Sequence, residues 1–210
     1  IITDIDLIYL LKKFKKSVVV TGTNGKSTTC KILDYLLQKN GYKALLGGNI
    51  GTPILNHKIK KDNFLIIEAS SFQLNYSKFI SPDYALLLNI TNDHLDWHGS
   101  MRNYIQSKFK IFQNQKKNQY SLINKNFSSL FKSKNFQGKL VIPKFQKYKK
   151  LKSKIKNSYL SSDINDENML FVYCLSKLLK IKERSLIKTL RNFKGLPHRY
   201  EIFMKKKNCT

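Results

Sequence analysis

The sequence predicts an α/β fold, a mostly parallel β-sheet with helices on both faces, on three observations. The apolar runs at 18–20, 63–68 and 84–90 are unbroken rather than alternating, the pattern of strands buried on both sides. Segments of helical character separate them, as crossover connections require. The first run ends in Gly22-Thr23-Asn24-Gly25-Lys26-Ser27, a two-glycine turn between a strand and a helix.

Each element follows from local pattern. Residues 4–15 place Ile5, Ile8, Tyr9 and Leu11 on one helical face and lead into the first strand. A helix is expected over 28–40 and a second strand over 42–46. Residues 47–53 form a tight loop, with Pro53 where proline opens helices. The run 63–68 ends on the carboxylate of Glu68, and 84–90 ends in Thr91-Asn92-Asp93-His94-Leu95-Asp96. A helix over 100–114 and strands at 120–124 and 139–142 follow. Residues 144–156, rich in lysine and poor in period, read as a solvated loop or basic hairpin. Helices are expected at 165–180 and 183–193, a turn-rich stretch at 195–201, and a frayed or truncated tail at 205–210. No internal repeat is evident.

Composition bounds the function. With 41% hydrophobic and 12% aromatic residues the 210-residue chain can bury one substantial core and is no disordered tail. No run approaches the ~18 apolar residues of a membrane span, so no membrane insertion is expected. The start lacks the features of a signal peptide and an initiator Met, which points to a chain cut from something longer. Cys30, Cys174 and Cys209 are odd in number and without metal spacing, favouring a reduced, cytoplasmic setting. The net charge of +26 comes from 35 lysines and only four arginines. Nucleic-acid readers lean on arginine for bidentate contacts, so we read the excess as compositional drift of A/T-rich coding. Nonspecific polyanion binding at low salt is still expected.

Order and residue type make 22–28 a phosphate cradle. Glycines admit backbone N–H groups to phosphate oxygens, the following helix presents its positive end, Lys26 reaches the β/γ-phosphates and Ser27 offers a hydroxyl to Mg²⁺. The common phosphate-loop spacing would put glycine at position 20, where Val20 stands. The alternative is a solvated helix start with Ser27 as N-cap. In a parallel sheet the cradle, Glu68 and Asp93-His94 all point the same way, and ligands sit beyond the carboxyl ends of strands. Glu68 then suits Mg²⁺, or caps a neighbouring helix; His94 is a ligand or a satisfied loop histidine. Ser70, Ser71 and Gln73 could simply satisfy backbone at a strand end, and His57 and His98 read as surface residues.

Taken together, these motifs resemble the Mur ligase family of ATP-dependent amide ligases. Gly22-Thr23-Asn24-Gly25-Lys26-Ser27-Thr28 is similar to that family's own short phosphate loop, and Gly47-Gly48-Asn49-Ile50-Gly51 to a substrate loop. Residues 92–96 and 104–108 are similar to its metal and modified-lysine region, 165–168 and 195–201 to its adenine-side and hinge-proximal motifs. Glu68-Ala69-Ser70-Ser71-Phe72-Gln73-Leu74 resembles the member that joins D-glutamate to UDP-N-acetylmuramoyl-L-alanine. The likeness runs from about 17 to about 203. It implies ATP and Mg²⁺ as cofactors, an acyl-phosphate intermediate, those two compounds as substrates, and a monomer. It further implies that Gly22, Thr23, Asn24, Gly25, Lys26, Ser27, Thr28, Asn168 and Arg199 hold ATP. Ser27 and Glu68 would hold one Mg²⁺, and His94 with a carbamylated Lys108 a second; Lys26, His94, Lys108 and Arg199 would be catalytic. Asn49, Ser70 and Gln73 would contact the nucleotide-sugar substrate.

Two departures stand out. Ile164 replaces the histidine the family has before Asn165-x-x-Asn168. The resemblance also implies that 1–203 is the central ATP-binding domain alone and 204–210 the start of a linker, without the uridine-nucleotide and amino-acid domains, so that the chain would not ligate by itself. Rival readings are a ligase adding another amino acid or glutamyl units to folate, a P-loop kinase or GTPase, and a basic nucleic-acid-binding module.

Overall fold

The structure, a computed structural model, describes residues 1–196. Its centre is a six-stranded, all-parallel sheet in the order β2-β3-β1-β4-β5-β6. In chain order, α1 (Asp4–Leu11) precedes β1 (Lys16–Thr21), α2 (Lys26–Lys39), β2 (Lys43–Gly48) and β3 (Asn63–Glu68). Next come α3 (Ser71–Tyr76), β4 (Tyr84–Leu87), α4 (Leu95–His98), α5 (Met101–Phe109) and β5 (Tyr120–Ile123). The chain continues through α6 (Ser128–Ser133), β6 (Lys139–Val141), α7 (Phe145–Ile155), α8 (Asp166–Leu178) and α9 (Glu183–Arg191).

Strand alternation sorts the core into two layers. Val18, Val20, Ile66 and Leu86 face α2, α8 and α9, meeting Leu33, Leu36, Met169, Val172 and Leu190. Val19, Leu65, Ile67, Ala85 and Leu87 face the other way, onto Ile5, Ile8, Leu74, Tyr104 and Phe109 of α1, α3 and α5. Helices on both faces explain why the strands read as unbroken apolar runs.

α1 is anchored by a capping box between Thr3 and Asp6. The fully buried Asp6 carboxylate also accepts from Ser77 Oγ at 2.6 Å, Phe79 N at 2.8 Å and Lys78 N at 3.0 Å. Burial alone would raise its pKa, but these donors outweigh burial and hold the carboxyl below its ordinary range.

The loop or hairpin expected at 144–156 is instead the helix α7. Tyr148, Leu151 and Ile155 are buried on one side of it, a three-residue stripe that the lysines between them hide from a composition reading. Lysine is itself a good helix former. Three short helices, α3, α4 and α6, were not anticipated, and Pro53 opens only a 3₁₀ turn, Ile54–Asn56. Among the described residues no helix is long and apolar enough to cross a membrane.

Candidate functional site

The site is built on the tip of β1, which β3 and β4 flank. The chain leaves Thr21 through 22–25 into α2. Ala69 N donates to Val20 O, Leu88 N to Thr21 O and Thr23 N to Asn89 O, each at 3.0 Å, so the three strand tips are stitched together. Gly25 is the N-cap of α2 at φ +80°, and a Cβ there would lie 2.0 Å from Asn168 Oδ1; no other residue fits. Ser27 is therefore not the N-cap, contrary to that alternative. No side chain caps this helix end, which leaves its positive pole facing the loop.

Two lysines converge on one carbonyl. Lys26 Nζ donates to Gly22 O at 3.0 Å and Thr23 O at 2.8 Å. Lys108, on α5, reaches the same Gly22 O at 2.8 Å and is 1% exposed. Its ammonium lies 4.6 Å from the centre of the Tyr104 ring, and the Tyr104 hydroxyl is 3.0 Å from Thr23 Oγ1. Burial, followed by the charge of Lys26, pulls the Lys108 pKa from 10.5 to about 7, with Asp93 opposing. A cation so poorly compensated marks a place where an anion would be stabilised.

Glu68, at the tip of β3, is 2% exposed. Its Oε1 accepts from Asn49 Nδ2 at 3.1 Å, while Oε2 is enclosed without a hydrogen-bond partner among the described residues. The close approach of the β2 tip needs Gly48, at φ +103°, where a Cβ would meet Glu68 O at 2.3 Å. An unsatisfied buried carboxylate oxygen is costly unless a cation or donor reaches it. No cluster of three or more His, Cys, Asp or Glu able to hold a metal occurs among the described residues. Magnesium bound by one or two protein groups plus phosphate and water fits that donor set. Ser27 lies in the first turn of α2. A bare Lys108 ammonium is a donor only and cannot ligate a metal.

His94 initiates α4 at φ +51°, with Nε2 3.3 Å from Asp93 Oδ2 and its ring 4.8 Å from that of Phe72. Both His94 and Lys108 border the Tyr104 ring. His98 is not a surface residue. It is 6% exposed, with Nε2 3.0 Å from Ser71 Oγ, and burial lowers its pKa. His57 is half-buried with Nε2 enclosed, also unlike the expectation. Ser70 and Gln73 form the capping box of α3, Gln73 N donating to Ser70 Oγ at 3.2 Å and Ser70 N to Gln73 Oε1 at 3.1 Å.

Beside the loop opens a cavity of about 440 Å³, lined by Asn24, Gly25, Thr28, Asn89, Glu167 and Asn168 among others. Asn168 accepts from Thr29 Oγ1 at 3.3 Å and donates to Asn165 Oδ1 at 3.1 Å, which docks the start of α8 onto α2. Ile164, 74% exposed, sits on the cavity wall. Arg199 lies outside the described residues. Asn89 and Glu167 were missed by the sequence reading. Asn89 carries a signal, as the one polar amide inside the apolar run 84–90; Glu167 carries none.

A family model for the Mur ligase middle domain matches residues 20–182. The UDP-N-acetylmuramoylalanine–D-glutamate ligase of Rickettsia felis is 35% identical over 96% of this chain and 49% of its own length. The ligase of that name from Pseudothermotoga lettingae is 32% identical over 95% and 48%. The chain thus spans about half the length of the curated relatives it matches. Among solved structures, the MurF ligase of Thermotoga maritima in complex with ADP superposes with a TM-score of 0.69 at 20% identity, over 96% of this chain and 55% of that one. FolC of E. coli in complex with DHPP and ADP gives 0.65 at 16%, over 97% and 64%. At these identities the superpositions speak for the fold.

Proposed function

Because this chain belongs to the Mur ligase family, matching its middle domain, we propose that it is the ATP-handling unit of a ligase joining D-glutamate to UDP-N-acetylmuramoyl-L-alanine. The observation that carries this reading is the convergence of Lys26 and Lys108 on Gly22 O after the tip of β1, with the enclosed, unpartnered oxygen of Glu68 at the tip of the neighbouring β3. In the reaction the γ-phosphoryl group of ATP passes to the substrate carboxylate, and the amine of D-glutamate then displaces phosphate from the acyl phosphate.

The chain's own groups meet the demands of that transfer. Lys26, now turned onto loop carbonyls, swings to the β/γ-phosphates, while the amides at the start of α2 receive phosphate oxygens. The hydroxyl of Ser27 and Oε2 of Glu68 would hold Mg²⁺, with Asn49 fixing the carboxylate from its other oxygen. Bound Mg²⁺ would neutralise phosphate charge. Burial, which lowers the Lys108 pKa to about 7, makes its neutral amine far more accessible at pH 7 than that of an ordinary lysine. That amine can add to CO₂, forming an N–C bond and releasing a proton, and the resulting carbamate is an anionic oxygen donor able to join His94 around a second Mg²⁺. Asn168 and the cavity beside it would take the adenine side, with Arg199 on the phosphates. Recognition of the uridine nucleotide and D-glutamate would fall to the part of the relatives' length that this chain does not span. Ser70 and Gln73 would shape the substrate side through α3.

Titration calorimetry tests the reading. The chain should bind Mg·ATP, and Lys26→Ala should weaken binding by about a hundredfold with little change in Tm. Absence of Mg·ATP binding by the parent chain would overturn it. Supplied with the rest of a relative's length, phosphate release should require D-glutamate; release with another amino acid or a folate instead would reassign the substrate.

A further inference from the structure

We propose that Glu167 is a positioning residue that fixes the orientation of the Asn89 amide and, through it, the phosphate loop at Asn24; its effect on nucleotide affinity rests on the ATP reading above. Glu167 is in the first turn of α8 and lines the same cavity as Asn24 and Asn89. Its Oε2 accepts from Asn89 Nδ2 at 2.5 Å and its Oε1 from Asn124 Nδ2 at 2.8 Å. Asn89 in turn accepts from Asn24 N at 2.8 Å through Oδ1 and donates to Asn24 O at 3.3 Å.

The polarity of this chain of bonds has one solution. An ionised carboxylate only accepts, so both asparagines must turn their NH₂ groups toward it. With Nδ2 of Asn89 committed, its Oδ1 is presented to the Asn24 N–H, and one amide grips both polar groups of the loop backbone around Asn24. Were the amide reversed, its oxygen would face the carboxylate and Asn24 N–H would lose its acceptor. Gly25, the next residue, begins α2, so the setting of Asn24 is also the setting of the helix start. A bare carboxylate this close to the phosphate loop would repel the phosphates; here both oxygens are occupied by amides, and the helix start further stabilises the charge.

Glu167→Gln offers one acceptor and one donor, so one asparagine must reverse or face donor to donor. We expect faster hydrogen exchange at 22–25 in the nucleotide-free chain, and Mg·ATP affinity lower by about tenfold, with Tm little changed. Adding Asn124→Asp gives the new amide an acceptor on that side and should return both readouts to within about twofold of the parent. Glu167→Ala with Asn124→Asp keeps the net charge but not the bridge, and should stay impaired. Parent-like exchange at 22–25 in Glu167→Gln, or a Glu167→Gln/Asn124→Asp chain no better protected than the single variant, would overturn the proposal. Should Glu167→Gln fail to fold, Asn124→Asp alone sets two carboxylates face to face, and unaltered loop exchange there would overturn it equally. Exchange in the nucleotide-free chain stands even if the parent binds no ATP, so the two readings fail separately.

Discussion

Asp6 and Lys108 are both buried charges, 0% and 1% exposed, yet the fold treats them oppositely. Asp6 is surrounded by donors from Thr3, Ser77, Lys78 and Phe79, and its charged form is favoured. Lys108 has one carbonyl and one ring face, with a second ammonium nearby, and its charged form is disfavoured. A buried charge that the chain satisfies fully holds structure together. One left under-compensated at the carboxyl end of a parallel sheet is a candidate for chemistry rather than for structure. The lysines of α7, mostly exposed and two of them (Lys152 and Lys154) paired with Asp163, Asp166 and Glu183, form a third class in which charge does little beyond solubility.

That contrast can be broken in several places. The largest effect is expected from Lys108→Met: with the complementing segments present, phosphate release should fall by a hundredfold or more, and the mass increment of one CO₂ expected of the parent in bicarbonate should be absent. Its Tm should stay level or rise, since a desolvated ammonium is removed; a clear drop in Tm would make Lys108 a structural residue like Asp6. Asp6→Ala should do the reverse, costing roughly 2–4 kcal/mol in denaturant unfolding by stranding several donors, while the folded fraction binds Mg·ATP as before.

The pH dependence should separate the two residues more gently. For Lys108 the folded pKa, about 7, lies below the ordinary 10.5. Its penalty is complete below the folded value and is relieved as pH rises from about 7 to about 10.5, because the unfolded chain then binds more protons. Asp6 behaves oppositely, its folded pKa lying below 3.8. Its stabilisation is present above that value and lost as pH falls through the folded one. Tm of the parent minus that of Lys108→Met, followed from pH 6 to 10, should therefore rise; parent minus Asp6→Asn should fall below about pH 4. A flat difference in either series would sink the corresponding assignment. Smallest of all, Lys147, Lys149 and Lys150 changed together to Gln should leave Mg·ATP affinity within about twofold and lower only retention on a polyanion column at low salt.

Much of this was legible in the chain itself. Strand β3 matched residue for residue, and the glycine loop at 22–25, the acid at Glu68 and the Asp93-His94 pair were visible as strand-end groups because each interrupts or follows an apolar run. Lys108 stood out only by resemblance, since one lysine among 35 has no local signature. The hydrogen bond from Asn49 to Glu68 joins residues 19 apart in the chain and had no signature in either segment. The helix α7 was hidden because its apolar stripe is thin and its polar face monotonous, and His98 because burial depends on Phe72 and Tyr104, brought to it from other helices.

Unbroken apolar runs and period-3.6 patterning, with glycines where a side chain cannot fit, determined the fold class, the strand tips and the two-glycine loop, because those are properties of a few consecutive residues. Which charges are satisfied and which are left in tension, and which amide faces which carboxylate, only the tertiary structure decided. Lys108 meets Gly22 across 86 positions and Glu167 meets Asn89 across 78, and burial, unlike periodicity, is conferred by residues far away in the chain.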